Sequence, residues 1–129
     1  MYCLDSNIIM EILNGNKLIA SRLVSIGALG LSTTTITLCE LFRGAFLSGN
    51  PEKNTALFKN LLKSLDIIDL DIDTCELYGS RYSELEALGK LTQDFDLLIG
   101  VICITNNKIL ITRNKKHFEN IKGLKVKQW

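Results

Sequence analysis

Short apolar runs alternate along this chain with longer segments of helical period, and no other feature constrains the fold as strongly. Residues 2–4 read as a strand. Asp5-Ser6-Asn7 follows, all of the helix N-cap type, and Ile8, Ile9, Ile12 and Leu13 then recur at helical spacing until Asn14-Gly15. A second helix is expected over 18–26, a strand over 29–32, and a helix from 36 through Phe46, ending near Gly49. Asn50-Pro51-Glu52 marks another helix entry, because proline fits the first helical position. A strand over 67–70 and a helix over 72–88, stopped by Gly89, come next. Residues 95–106 are apolar on all sides and predict a buried helix. A strand over 109–112, a short helix over 115–120 and a strand over 125–128 complete the series. Strands that alternate with helices predict an α/β fold: a three-layer α/β/α sandwich around a short, mainly parallel sheet. No linker or repeat divides residues 1–129, so one domain is expected.

Composition excludes several classes. With 47% hydrophobic and 22% charged residues in 129, the chain is long enough to bury a core. Cys3, Cys39, Cys75 and Cys103 form neither a redox CxxC pair nor a zinc knuckle. Cys39 and Cys103 lie in apolar runs and read as small hydrophobes, so a reducing cytoplasm is expected. Residues 1–5 lack the basic and apolar regions of a secretory leader. The longest uncharged apolar run, 97–105, is far short of the roughly 20 residues that span a bilayer, so no membrane association is expected.

The net charge of +1 argues against a uniformly basic nucleic-acid binder. The charge is not evenly spread, however. Residues 66–96 carry −7, whereas residues 108–129 hold seven Lys and Arg against Glu119 alone. That basic tail suits an RNA path or an acidic partner, though a solvated face is the simpler reading.

Ligands of open α/β sheets bind beyond the C-terminal ends of the strands. Asp5 closes the first strand, Asp94 and Asp96 open the buried helix, and the strand at 109–112 runs into Arg113-Asn114. Glu40 sits inside a helix among apolar neighbours, where a carboxylate needs a partner or a metal. Taken singly, each has an ordinary reading. Asp5, Asp94 and Asp96 cap helices, Glu40 pairs with Arg43, Asn114 makes a turn, and Ser6, Asn7 and Thr112 satisfy backbone groups. Together, the acids form an all-oxygen set suited to Mg²⁺ or Mn²⁺ and to metal-assisted attack of water on a phosphodiester.

Four segments carry a resemblance. They are Leu4-Asp5-Ser6-Asn7, residues 32–45 centred on Glu40 with Gly44 four residues on, Asp94-Phe95-Asp96-Leu97-Leu98-Ile99-Gly100, and residues 110–118 with Gly123-Leu124 and Trp129. In this order and spacing the chain resembles PIN-domain ribonucleases, specifically the VapC-type toxins of toxin–antitoxin pairs, nearly end to end. The resemblance implies a Rossmann-like sandwich and an endoribonuclease using one or two Mg²⁺ or Mn²⁺ ions. It also implies a homodimer and inhibition by a small VapB-type antitoxin. It places Asp5, Glu40 and Asp96 on the metal-binding acids. Asn114 falls where many PIN domains carry a fourth acid; being neutral, it would orient a water or bridging group at the metal, which puts a second ion in question. Asp94 would assist from behind Asp96 or only cap the helix. Asn7 and Thr112 would position ligands, and Arg43 would touch RNA phosphate or the antitoxin. Gly100 stands where the family more often has Ala, a change expected to leave packing intact.

Three rivals remain at this level. A haloacid-dehalogenase-type phosphotransferase needs a second Asp where Asn7 stands, and a receiver domain needs paired early acids that are missing. A PIN-like scaffold that binds RNA or protein without catalysis is the third.

Overall fold

The computed structural model describes residues 1–27 and 30–129. β1 (Tyr2–Leu4) leads through α1 (Ser6–Leu13) and α2 (Lys17–Ile26) to β2 (Leu31–Thr34). α3 (Thr35–Phe46) and α4 (Pro51–Leu62) follow, then β3 (Asp66–Ile68), α5 (Ile72–Ala87) and α6 (Asp94–Thr105). β4 (Ile109–Thr112), a 3-10 turn (Lys115–His117) and β5 (Lys125–Gln128) close the chain. The five strands lie in the order β3-β2-β1-β4-β5, and every pairing is parallel.

Side-chain alternation along the central strands makes the three layers. Tyr2 and Leu4 of β1, with Ile111 of β4, face one core, built with Ile8, Ile19, Leu41 and Phe58 from α1 to α4. Cys3 and Leu110, on the same strands, face the other, built with Leu85 of α5 and Leu97, Ile99 and Cys103 of α6. This is the period of two expected of strands covered on both faces. The chain moves outward from β1 to β2 and β3, then returns to place β4 on the other side of β1. The order therefore reverses between β1 and β4, and a crevice opens at the C-terminal ends of those two strands.

Several expectations shift. The strand expected over 29–32 is found at Leu31–Thr34, and Leu29 lies outside the described residues. The slip brings Thr34 to the N-cap of α3, where its hydroxyl oxygen accepts the Thr37 N–H at 3.0 Å. The strand expected over 67–70 runs Asp66–Ile68, and the helix expected over 115–120 is only the 3-10 turn. Cys39 is exposed rather than buried, whereas Cys103 is buried. Gly100 packs on side-chain ends of the closing segment. A Cβ there would lie 2.9 Å from Ile121 Cδ1 and 3.3 Å from Leu124 Cδ2, both ends of flexible side chains, so a methyl asks only those ends to shift.

Candidate active site

Asp5 follows β1 directly and serves two ends at once. Its Oδ1 caps α1 by accepting the Ser6 N–H at 2.8 Å. Its Oδ2 accepts the Thr112 hydroxyl at 2.6 Å and the Asn7 amide at 3.3 Å. Thr112 is fully buried at the end of β4, and it spends its proton on Asp5. Its lone pairs therefore accept from Asn7 Nδ2 at 3.2 Å and from the Asn114 N–H at 3.1 Å. Asn7 Oδ1 accepts the Arg113 N–H at 3.2 Å. Every donor in this network is used, so the network locks the ends of β1 and β4 together. A carboxylate offers about four lone pairs. Three of those on Asp5 are taken, which leaves one for a ligand.

A cavity of about 520 Å³ opens here, lined by Asp5, Glu40, Asp96, Asn114, His117 and Arg43, among others. Glu40 comes from α3 and Asp96 from the first turn of α6. Glu40 Oε1 is buried and has no hydrogen-bond partner among the described residues. The expected Glu40–Arg43 ion pair is not formed among the described residues; the Arg43 guanidinium lies 5.5 Å from the Phe95 ring centroid instead. Asp94 is not part of the cavity wall. It faces α5, where its carboxylate accepts the Tyr78 hydroxyl at 2.8 Å.

The electrostatics follow from this crowding. Burial raises the Asp5 carboxyl above its ordinary range, although the bonds from Thr112, Ser6 and Asn7 oppose it. Burial, followed by the charges of Asp5 and Asp96, pushes Glu40 up to about 7, with Arg43 acting the other way. Burial also raises Asp96, opposed by His117 and assisted by Asp5. His117 Nδ1 sits 3.3 Å from Asp96 Oδ2. The sequence reading named no role for this histidine. Its only signal was position, on the turn just beyond β4.

The donor set fits a hard divalent cation by its chemistry: three carboxylates on one wall, a bare buried Glu40 oxygen, and mutual repulsion that a cation relieves. The side chains are not drawn together into a cage. Among the described residues no group of three or more His, Cys, Asp or Glu stands ready to hold an ion.

A second hollow of about 220 Å³ shares Asn114 and His117 with the first and adds Arg113, Lys115, Lys116 and Gln128. Arg113 pairs with Glu11 at 2.8 Å, while Lys115 and Lys116 have no ion-pair partner among the described residues.

The PIN domain family model matches residues 2–124. Ribonuclease VapC2 of Rickettsia felis is 32% identical over 133 residues, spanning 100% of this chain and 98% of its own length. A tRNA(fMet)-specific endonuclease VapC of Shigella flexneri is 26% identical over 128 residues, spanning 99% and 97%. Among solved structures, that of VapBC2 from Rickettsia felis bound to a DNA fragment from their promoter superposes with a TM-score of 0.93 at 30% identity, covering 99% of this chain and 98% of that one. The site at the β1–β4 crevice thus lies in a chain that belongs to the PIN domain family, among the VapC ribonucleases.

Proposed function

We propose that this protein is a metal-dependent endoribonuclease toxin that hydrolyses RNA phosphodiesters and is neutralised by a small VapB-type antitoxin. One observation carries the reading: Asp5, Glu40 and Asp96 line one cavity at the sheet's reversal point, with a Glu40 oxygen left bare. VapBC complexes among the solved relatives support the antitoxin partner, and homodimerisation is part of the same proposal. Among the described residues no helix is long and apolar enough to cross a membrane. A cytoplasmic site of action belongs to the reading as well.

Asp5, Glu40 and Asp96 would hold one or two Mg²⁺ or Mn²⁺ ions, which when bound supply Lewis acidity toward a phosphate and lower the pKa of water. The chain's own residues do the rest. Thr112 and Asn7 fix the Asp5 carboxylate, so its one spare lone pair faces a set position. His117 steadies Asp96, and Asn114 stands at the cavity wall to orient water or phosphate. Arg43 borders the same wall, within reach of a phosphate or an antitoxin side chain. The decisive test incubates purified protein with total cellular RNA in Mn²⁺ and in chelator, and sequences the ends. Cuts that appear only with Mn²⁺ support the reading; no cuts in either overturn it.

Two further outcomes are expected. Thr112→Val keeps the side chain's shape but removes the hydroxyl that binds Asp5, and it lowers cleavage by about 10- to 100-fold. Retained wild-type rates in a single-turnover assay would show that Asp5 needs no such support. Replacing both Lys115 and Lys116 by Ala reduces the slope of log binding constant against log salt by about 1 to 2. Both side chains are exposed, so thermal stability is unchanged. An unaltered slope in a fluorescence titration would take the basic hollow out of the RNA path.

A further inference from the structure

Glu40 and Arg43 stand three residues apart on α3, a spacing at which a guanidinium can reach a carboxylate. The two stay apart all the same. One Glu40 oxygen is buried and bare, and Arg43 makes no ion pair among the described residues. The group that engages the guanidinium is Phe95, in the first turn of α6, with Arg43 Cζ over its ring at 5.5 Å from the centroid. A cation within about 6 Å of a ring is attracted by the ring's quadrupole.

The helix turn brings Phe95 to this place. It falls between Asp94, which faces Tyr78 of α5, and Asp96, which lines the cavity. Successive helical side chains point about 100° apart, so Phe95 follows neither neighbour and meets α3 at Arg43. Arg43 lines the cavity wall, whereas Phe95 does not. Phe95 therefore acts on the cavity through Arg43.

The choice between ring and carboxylate matters to both groups. Paired with Arg43, Glu40 would offer a cation a carboxylate already engaged; left bare, it keeps its lone pairs for the ion. The ring has no lone pair to accept with, so Arg43 keeps its N–H donors for a phosphate oxygen. On α3 alone the two groups would cancel each other, and the ring supplied by α6 keeps them apart.

We propose that Phe95 is a positioning residue: by holding the Arg43 guanidinium on its ring, it keeps Glu40 open to a divalent cation and Arg43 open to RNA phosphate. This rests on the metal-dependent reading of the three acids, and the experiment separates the two.

Mn²⁺ is titrated calorimetrically, without RNA, into wild type, Phe95→Leu, Phe95→Tyr, Arg43→Gln and the Phe95→Leu, Arg43→Gln double variant. A melting curve in chelator is recorded for each, and RNA cleavage is measured in parallel. Leu stays apolar but removes the ring, so Arg43 falls back on Glu40 and the Mn²⁺ dissociation constant rises about two- to fivefold. Tyr keeps the ring and the wild-type constant. With Arg43→Gln no guanidinium is left to fall back, so Phe95→Leu adds no weakening in that background. Phe95 is only half-buried, and Phe95→Met repeats the comparison should the Leu variant melt early. Three outcomes overturn the proposal. In the first, Phe95→Leu binds Mn²⁺ as tightly as wild type, so the ring restrains nothing. In the second, it weakens binding equally with and without Arg43, as a residue that merely shapes the start of α6 would. In the third, Phe95→Tyr is as weak as Phe95→Leu. Any of these, in a protein whose wild type binds Mn²⁺ and cuts RNA with it, leaves the metal reading standing and removes only the role of Phe95. A wild type that binds no Mn²⁺ removes both.

Discussion

Asp96→Asn lowers Mn²⁺-dependent RNA cleavage by about two to three orders of magnitude and, in chelator at neutral pH, raises the melting temperature. Both effects have one cause. Asp96 is only 8% exposed and shares the cavity wall with Asp5 and Glu40, and the Asp5 and Asp96 charges are part of what raises Glu40. Asn keeps the shape and removes the charge. The empty site then loses a source of repulsion, while the set that would attract a cation loses a donor. The partner control is Asp94→Asn. Asp94 turns away to Tyr78 at 2.8 Å, so its loss leaves cleavage near wild type. An Asp96→Asn protein that cleaves at the wild-type rate would remove Asp96 from the site. An unchanged melting temperature in chelator would show that the acids do not strain the empty fold.

The contrast between Asp94 and Asp96 also shows what the sequence carries and what it does not. Periodicity located β4 at Ile109–Thr112 and β5 at Lys125–Gln128, because each is a short run bounded by turn residues. It could not order the strands, since order depends on crossovers between distant segments. Periodicity and capping alone make the two aspartates equivalent, two residues apart at one helix start. The helix turns by about 200° between them, so one faces the cavity and the other faces α5. Only the motif resemblance separated them beforehand. His117, Ser48 and Asn54 were invisible as site residues for a related reason. Ser48 and His117 reach the cavity from a corner and a turn, and Asn54 from the first turns of α4, so their place on the wall is set by the packing of distant helices rather than by their own spacing. The Glu40–Arg43 pair failed because spacing three apart permits a contact but does not compel it, and the Phe95 ring competes for the guanidinium.

The protein without divalent ion loses stability as pH rises from about 5 to 8, and Glu40→Gln flattens that loss. Glu40 is raised from 4.5 to about 7, first by burial and then by the Asp5 and Asp96 charges. Between those values the folded protein holds a proton on Glu40 that the unfolded chain has released. Stability therefore falls with rising pH, because the unfolded state binds fewer protons. The contribution is complete below the unfolded value and gone above about 7. Asp5 and Asp96 are raised as well and act with the same sign, beginning from lower pH. Glu40 is only half-buried, so after allowance for solvent screening the drop is about 1 to 2 kcal/mol. For a chain of 129 residues that is about 3–8 °C in melting temperature. Mn²⁺ at pH 7.5 recovers the loss, since a ligand that binds only the folded state stabilises it by mass action. Melting curves from pH 5 to 8, with Mn²⁺ and with chelator, read all of this without any RNA. Stability that climbs with pH in chelator, or a Glu40→Gln protein as pH-sensitive as wild type, would place the strain elsewhere than at these three acids.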